Sequence, residues 1–355
     1  MSVVERARLV LQDDPRAVVL LILVAVMSTW LLFRRFTKTS SSRVLLSDLA
    51  RVECLSTDRF MHKIVLPARE PATHRKLVVV IPGNPGVPGF YEPFMRHLQH
   101  LSDYDMEVVG LSHTGHSLPW INKDETFDFE TQIIDKLAYV QKRVEQDSKL
   151  KLILIGHSMG SHIALRLLKH FPDHVEKLVL LTPTIMRIAD TPRAHTLMPF
   201  LSRYDRVADA VRYVERLPSF VKKALVAWFV PPREFHKATL GMVDSAVARN
   251  CFKTAWHEMH DIKELDHELV DKHQEKILFV FAETDGWCPR DQMDELIQRY
   301  TRAKHLVVLL SHAFMMDPNG SQVMATHAHE WIYDDDARRH CVPSSAASSR
   351  MPKAG

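Results

Sequence analysis

The chain has 355 residues, of which 46% are hydrophobic, and this length permits one large α/β domain with an insertion or two smaller domains. Its 46 basic and 43 acidic residues give a formal net charge of only +3, without a long Lys/Arg run, so nucleic acid is not expected as a partner. The four cysteines are far apart and form no C-x-x-C pair, which indicates neither a disulfide framework nor a zinc site and fits a reducing compartment.

The first predicted element is an uncharged apolar run at residues 17–33 (AVVLLILVAVMSTWLLF), which is near the short limit for spanning a bilayer. We interpret residues 1–42 as a retained membrane anchor helix followed by a polar tether. A cleaved signal peptide is the main alternative and a buried core helix is another, but the run has neither a basic leader nor a small-residue cleavage pattern. Arginines after the run favour a cytosolic location for the rest of the chain, whereas the sequon at Asn319 favours the opposite.

From residue 43 onward, short apolar segments alternate with segments of helical periodicity. The apolar segments are rich in β-branched residues, as expected of strands buried on both faces, and they lie at 76–81, 106–111, 151–155, 177–181, 276–281 and 305–310. Helical patterns such as 131–145 and 161–169 lie between them. The alternation predicts an α/β domain over residues 43–341, with a mostly parallel central sheet and helices on both faces.

The segment 186–275 interrupts this alternation, because it contains helical patterns but no convincing strand. We expect it to form a helical lid over the carboxyl edge of the sheet, where open α/β sheets place their sites. Its apolar helix at 220–230 (FVKKALVAWFV) suits either packing on the sheet or contact with a lipid surface. The polar tail at 342–355 is predicted to be disordered.

The stretch GHSMG at residues 156–160 carries the main signal for function. It follows an apolar strand and precedes an amphipathic helix, which is the context of a nucleophile elbow. Gly156 and Gly160 leave room for the sharp turn, so Ser158 is predicted to project as a nucleophile at the helix N-terminus. The alternative is a tight turn whose hydroxyl has no chemical role.

A serine nucleophile requires a histidine base that is oriented by a carboxylate, and in this type of fold the chain order is Ser, Asp, His. Asp285 and His312 each follow a predicted strand, in the loops ETDGWCP and SHAFMMD, and we predict them to be the orienting acid and the general base. Alternative residues of the same types are predicted at a strand end or on helices: Glu283, Asp291, Asp294, His327 and His329.

Backbone N–H groups usually bind the oxyanion of such a reaction. We expect one donor from Met159, directly after the nucleophile, and the other from Asn84 in the loop IPGNPGVPGFYEPF, since Pro85 has no N–H. No G-K-[ST] follows the glycines of this loop, which argues against a phosphate-binding P-loop. His113 and His116, in a later loop, either line the pocket or fix the loop. The chemistry requires no metal or organic cofactor.

Several motifs occur in order between residues 77 and 314: IPGNPG with FYEPF, SHTGH, GHSMGS, LTPT, ETDGWCP and SHAF. In this combination the sequence resembles the lipid droplet-associated hydrolases, a branch of the α/β-hydrolase superfamily. The resemblance implies an α/β-hydrolase fold and a carboxylic ester hydrolase at the lipid droplet or endoplasmic reticulum surface. The implied substrates are cholesterol esters or other neutral lipids. Motif matching implies the nucleophile Ser158, the acid Asp285 and the base His312.

Two other functions are compatible with these residues. A thioesterase or a phospholipid acyl hydrolase would use the same machinery on a different acyl donor. A non-enzymatic protein that coats or tethers lipid droplets would retain the triad without using it. A dehalogenase or epoxide hydrolase is not expected, because these enzymes carry an aspartate at the position of Ser158.

Overall fold

The computed structural model describes residues 50–54, 59–69, 76–117, 125–230 and 233–334. The predicted anchor and tether at 1–42 and the predicted tail at 342–355 lie outside these ranges. Within the described ranges, no helix is both long enough and apolar enough to cross a bilayer.

Eight strands form one central sheet: β1 (Ala50–Cys54), β2 (Phe60–Leu66), β3 (Lys76–Ile81), β4 (Glu107–Leu111), β5 (Lys151–His157), β6 (Val175–Leu181), β7 (Ile277–Ala282) and β8 (Lys304–Val308). Their spatial order is β1-β2-β4-β3-β5-β6-β7-β8. In this spatial order, all neighbouring strands from β4 through β3 to β8 are parallel. The pairs β1 with β2 and β2 with β4 are antiparallel. All six predicted strands form, with ends within two residues of the predicted ones, and the sheet is extended by β1 and β2, which we did not predict.

The central strands are buried on both faces because their side chains alternate between two apolar cores. In β3, Leu77 and Val79 belong to one core, whereas Val78 and Val80 belong to the other. A strand in this position can carry few polar residues, which explains the nearly continuous Val, Ile and Leu runs. At the edge of the sheet β8 is only partly covered, and Val307 is exposed.

The described helices are α1 (Glu92–Leu101), α2 (Phe129–Gln146), α3 (Met159–His170), α4 (Pro192–Leu201), α5 (Tyr204–Glu215), α6 (Ser219–Phe229), α7 (His236–Gly241), α8 (Ser245–Asp261), α9 (His267–His273), α10 (Arg290–Arg299) and α11 (Gly320–Tyr333). Helices α1 and α11 pack into one core, and α2, α3 and α10 pack into the other. The helices therefore cover both faces of the sheet, as the alternation in the sequence predicts.

Between β6 and β7 the chain forms the helices α4 to α9, and no strand occurs among the described residues of this segment. Side-chain caps begin three of these helices: Thr191 accepts from the amide of Ala194 at 3.3 Å, Asp244 accepts from the amide of Ala246 at 2.9 Å, and Asp266 accepts from the amide of Leu269 at 3.1 Å. Helix α8 reaches the carboxyl edge of the sheet, where the carbonyl of Cys251 accepts from the side-chain amide of Asn84 at 2.8 Å. A function of this segment as a lid stays a prediction.

Candidate active site

Four loops that follow β3, β5, β7 and β8 meet at the carboxyl edge of the sheet and carry the predicted residues. The chain order reverses beside β3, because β4 lies on one side of it and β5 on the other. Such a reversal opens a crevice at the carboxyl ends of the strands, which is where open α/β sheets bind ligands. The fold therefore collects residues from distant parts of the chain at one place.

Ser158 occupies the sharp turn between β5 and α3, in an unusual backbone conformation. Its φ is 54° and its ψ is −127°, which is a strained combination for a residue with a Cβ atom. A hydrogen bond of 3.0 Å from the Ser158 amide to the carbonyl of Leu181 stabilises the turn. A further bond of 2.9 Å runs from the Ser161 amide to the carbonyl of Ser158. The hydroxyl of Ser158 is thereby presented at the amino terminus of α3.

The glycines on both sides of Ser158 are required by close backbone approaches. A Cβ atom on Gly160 would lie 2.3 Å from the carbonyl oxygen of Ile81 and 2.5 Å from that of Pro82. A Cβ atom on Gly156 would lie 2.4 Å from the carbonyl oxygen of Gly160. These neighbours are backbone atoms, which cannot turn away as a flexible side chain can.

We expect Gly160→Ala to lower the free energy of unfolding by about 3 kcal/mol, because the new methyl group forces the elbow away from β3. The change is measured as a shift of the midpoint of urea unfolding. Gly286→Ala is the matched control, since its nearest heavy atom would be the Cβ of Arg193 at 3.4 Å. Equal stability of the two variants would contradict the close approach as the reason for Gly160.

The side chains of Ser158, His312 and Asp285 form one chain of hydrogen bonds. The Nε2 atom of His312 lies 3.0 Å from the Oγ of Ser158, and its Nδ1 lies 2.8 Å from the Oδ2 of Asp285. An ionised carboxylate only accepts, so Nδ1 carries the ring proton and the lone pair of Nε2 faces the serine hydroxyl.

The surroundings of Asp285 favour its ionised form, although the side chain is only 1% exposed. Burial by itself raises the pKa of Asp285. The imidazole of His312 and the hydrogen bonds from the amides of Trp287 and Cys288 lower it by more, so the pKa lies below its usual value. The bond from the Trp287 amide measures 2.8 Å. The carboxylate is therefore available to His312 at neutral pH.

The alternative acids and bases lie elsewhere in the fold. Glu283 is exposed to solvent. Asp291 and Asp294 both lie on α10. The carboxylate of Asp294 accepts a hydrogen bond of 3.0 Å from Arg290 of the same helix. The two other histidines, His327 and His329, lie on α11. The structure thus brings Asp285 and His312 to Ser158.

The loop after β3 lies directly against the elbow. A Cβ atom on Gly83 would come within 2.8 Å of the Cβ of Ser158, so the neighbouring Asn84 lies close to the nucleophile. Neither the Asn84 amide nor the Met159 amide donates a hydrogen bond to another residue in the described ranges. The role of these two amides as oxyanion donors stays a prediction.

The contacts of His113 and His116 favour the interpretation that they fix a loop. Both side chains are fully buried. The His113 amide donates to the carbonyl of Gly86 at 2.9 Å, and the Gly86 amide donates to the Nδ1 of His116 at 3.0 Å. The Nε2 of His116 lies 3.1 Å from the Oγ1 of Thr254 on α8. Burial, together with the charge of Lys136, lowers the pKa of His116 to about 3, so this ring stays neutral.

Three further side chains surround the triad, although we assigned them no role from the sequence. The Oη of Tyr91 lies 2.6 Å from the Nδ1 of His157, and the Oγ1 of Thr182 donates to the carbonyl of His312 at 3.2 Å. The only sequence signal was their position in the motifs FYEPF, GHSMG and LTPT. Contacts between residues so distant in the chain are not encoded in local spacing.

A buried carboxyl group near the oxyanion loop was also not predicted. Glu258 on α8 is 5% exposed, and burial raises its pKa to about 8, although a hydrogen bond from the side chain of Asn84 acts in the opposite direction. Glu258 is therefore mostly protonated at neutral pH. The sequence HEMHD around it has no pattern that indicates a buried carboxyl.

Comparisons with known proteins agree on a family and a fold. A family model described as "Lipid-droplet associated hydrolase" matches residues 74–315. A lipid droplet-associated hydrolase of Dictyostelium discoideum is 30% identical over 272 residues, which cover 72% of this chain and 86% of that protein. The Rattus norvegicus protein of the same name is 30% identical over 280 residues, which cover 73% of this chain and 85% of that protein.

Among solved structures, a serine hydrolase from the bacterium Cycloclasticus zankles aligns with a TM-score of 0.55. Its sequence identity is 14%, and the alignment covers 81% of this chain and 99% of that chain. At this level of identity the likeness shows the fold alone, which is the α/β-hydrolase fold.

Proposed function

The chain belongs to the lipid droplet-associated hydrolase family, and on this basis we propose that it is a serine esterase that cleaves acyl esters of neutral lipids, such as cholesterol esters, at the surface of lipid droplets or the endoplasmic reticulum. The observation that carries the catalytic part of the proposal is the hydrogen-bonded chain from Ser158 through His312 to Asp285. This arrangement has the geometry of a nucleophile with its base and orienting acid.

In the proposed first step, the Oγ of Ser158 attacks the carbonyl carbon of the ester while the Nε2 of His312 takes the hydroxyl proton. Asp285 stabilises the imidazolium that forms, and the amides of Met159 and Asn84 bind the oxyanion. The tetrahedral intermediate then breaks the bond to the alcohol oxygen. The alcohol leaves with the proton from His312, and the acyl group stays on Ser158.

In the second step, His312 takes a proton from water as the water oxygen attacks the acyl carbon. The bond to the Oγ of Ser158 breaks, and Oγ receives the proton back from His312. The product is a carboxylic acid, and the enzyme returns to its starting state. Since His312 accounts for every proton transfer, the proposed chemistry uses no metal or organic cofactor.

An exposed apolar face on α6 supports the proposed lipid surface. Phe220 is 67% exposed and Trp228 is 62% exposed, and Ala224 and Ala227 are exposed at the same helical spacing. Lys223 lies on this face as well, and its ammonium group can reach a lipid headgroup while its carbon chain covers apolar surface. A helix face of this composition is suited to the boundary between headgroups and acyl chains.

We expect the double variant Phe220→Glu, Trp228→Glu to bind lipid droplets about 100-fold more weakly or worse, because each aromatic side chain gains at least about 1.5 kcal/mol when buried in lipid. Binding is measured by flotation with triolein droplets coated with phospholipid. Ile134→Glu is the control, since Ile134 is 45% exposed but lies on α2. Hydrolysis of a soluble ester should be unchanged in both variants, and a binding loss of equal size in both would contradict docking through α6.

The substrate class is tested with the purified full chain and with Ser158→Ala as the blank. We expect faster hydrolysis of cholesteryl oleate and triolein emulsions than of phosphatidylcholine or oleoyl-CoA. Preferential hydrolysis of the last two would instead support the phospholipid acyl hydrolase or the thioesterase. Activity on soluble short-chain esters alone, without droplet binding, would refute the lipid part of the proposal.

A further inference from the structure

A chain of buried hydrogen bonds joins the loop after β3 to the backbone of His312. The amide of Gly83 donates to the Oη of Tyr91 at 3.0 Å, and this Oη lies 2.6 Å from the Nδ1 of His157. At its other end, the Nε2 of His157 lies 2.9 Å from the carbonyl oxygen of His312. A carbonyl oxygen only accepts, so Nε2 carries the ring proton and Nδ1 accepts from the Tyr91 hydroxyl.

Both side chains of this connection keep one protonation state across the neutral range. Tyr91 is 3% exposed and His157 is 6% exposed. Burial, aided by the neighbouring His312, lowers the pKa of His157 to about 3, and burial raises the pKa of Tyr91 above its usual value. The direction of each hydrogen bond in the connection is therefore the same throughout the neutral range.

The carbonyl of His312 has a second donor, which comes from the next strand. The Oγ1 of Thr182 donates to it at 3.2 Å. Thr182 has a φ of 39°, an unfavourable conformation for a β-branched residue, and its amide is held by the carbonyl of Val280 at 2.7 Å. The backbone of His312 is thus attached to the ends of both β5 and β6.

Aromatic packing holds the two rings in place. The ring of Phe314 meets Tyr91 edge to face with centroids 6.3 Å apart, and it meets His157 in the same way at 5.4 Å. Phe314 is fully buried. Neither ring can therefore rotate away from its hydrogen bonds without disturbing the apolar core around it.

We propose that Tyr91 and His157 are positioning residues that fix the oxyanion loop and the general base relative to each other. The proposal rests on the function proposed above, since Gly83 directly precedes Asn84 and the anchored carbonyl belongs to His312 itself. Ester hydrolysis requires the oxyanion donors and the base at the same carbonyl group of the substrate. A displacement of about 1 Å between them would lower the rate by about 10²-fold.

The first test is Tyr91→Phe, which removes one oxygen atom and keeps the ring that packs on Phe314. It leaves the Gly83 amide and the Nδ1 of His157 without their partner in a buried place. We expect kcat for p-nitrophenyl butyrate to fall by about 10-fold to 100-fold, with a change of KM below about three-fold. The rate constant of fluorophosphonate labelling should fall by a similar factor.

Tyr300→Phe is the matched control for this variant. Tyr300 is fully buried, and its Oη also lies beside the Nδ1 of a histidine, His267, at 2.5 Å. The pair lies at the end of α10 and the start of α9, and within the described ranges no hydrogen bond or ring contact joins it to the triad. We expect this variant to lose stability but to keep the wild-type kcat, which separates positioning from a general loss of packing.

The second test compares His157→Gln with His157→Ala. The side-chain amide of glutamine can place a donor about where Nε2 lies and so restore the bond to the carbonyl of His312, whereas alanine removes both bonds. We expect His157→Gln to retain at least about five-fold more kcat than His157→Ala. Equal kcat values in the two folded variants would overturn the role assigned to His157.

The outcomes for Tyr91 are equally distinct. A wild-type kcat in Tyr91→Phe, or an equal fall of kcat in Tyr300→Phe, would overturn the inference. If Tyr91→Phe does not fold, as judged by circular dichroism, the comparison of the two His157 variants decides the proposal. Absence of labelling in the wild type would refute the proposed function itself, whereas equally fast labelling of wild type and Tyr91→Phe would refute only the positioning role.

Discussion

Replacing Ser158 by alanine is expected to abolish fluorophosphonate labelling and to lower kcat for an ester substrate by about 10⁶-fold. The Oγ of Ser158 is the atom that lies 3.0 Å from the Nε2 of His312, and alanine has no atom that could form the acyl intermediate. Labelling is measured as a mass increase of the intact protein. The kinetic loss is measured with p-nitrophenyl butyrate. The remaining rate should come from attack of water on the ester carbonyl, with the oxyanion loop as the main remaining source of catalysis.

Ser202→Ala provides the control for labelling. The hydroxyl of Ser202 is bound to the carbonyl of Pro199 at 3.1 Å on an exposed part of the segment between β6 and β7. We expect this variant to be labelled as fast as the wild type. If folded Ser158→Ala kept its labelling, another nucleophile would carry the chemistry. If the wild type resisted labelling as well, the non-enzymatic function as a lipid droplet coat or tether would be favoured.

Asp285→Asn is expected to lower kcat by about 10⁴-fold at neutral pH. The asparagine NH₂ group would donate to the Nδ1 of His312, which shifts the ring proton to Nε2. In that tautomer Nε2 cannot accept the proton of Ser158, although the three side chains keep their positions. The variant should fold, and its loss should appear in kcat far more than in KM, which steady-state kinetics on a soluble ester measures.

Glu283→Gln tests the acid that lies two residues earlier in the chain. Glu283 is exposed and follows β7 directly, so we expect a change of kcat below about two-fold. A large loss in Glu283→Gln together with full activity in Asp285→Asn would assign the orienting acid to Glu283. That result would contradict the hydrogen bond of 2.8 Å between His312 and Asp285 as the functional contact.

Local patterns were sufficient to predict the buried strands and the elbow. A strand covered on both faces must be apolar along its whole length, so β3, β5 and β7 are visible as short Val, Ile, Leu and Phe runs. The turn at Ser158 requires glycines at fixed positions, because backbone atoms approach within 2.3 Å of a Cβ atom placed on Gly160. Both constraints act over a few residues, so each appears directly in the sequence.

The antiparallel edge of the sheet was missed for the opposite reason. Strand β2 contains His62 and Lys63 within the run FMHKIVL, and it is buried only in part. Strand β1 has only five residues and carries two charges in the segment ARVEC. Strands of this kind lack a continuous apolar run, so their pairing depends on the sheet that is already present.

The sequence by itself predicted Ser158, Asp285 and His312 as the triad, because each follows a predicted strand and the carboxyl ends of parallel strands meet at one edge of the sheet. Only the tertiary structure showed that the side chains of Asp285 and His312 meet Ser158 in one chain of hydrogen bonds, and only it showed that Tyr91 and His157 connect Gly83 to His312. The physical reason is that these contacts depend on strand order and on side-chain packing across the sheet. Contacts formed in this way join residues up to 155 positions apart in the chain, and no local periodicity in the sequence predicts them.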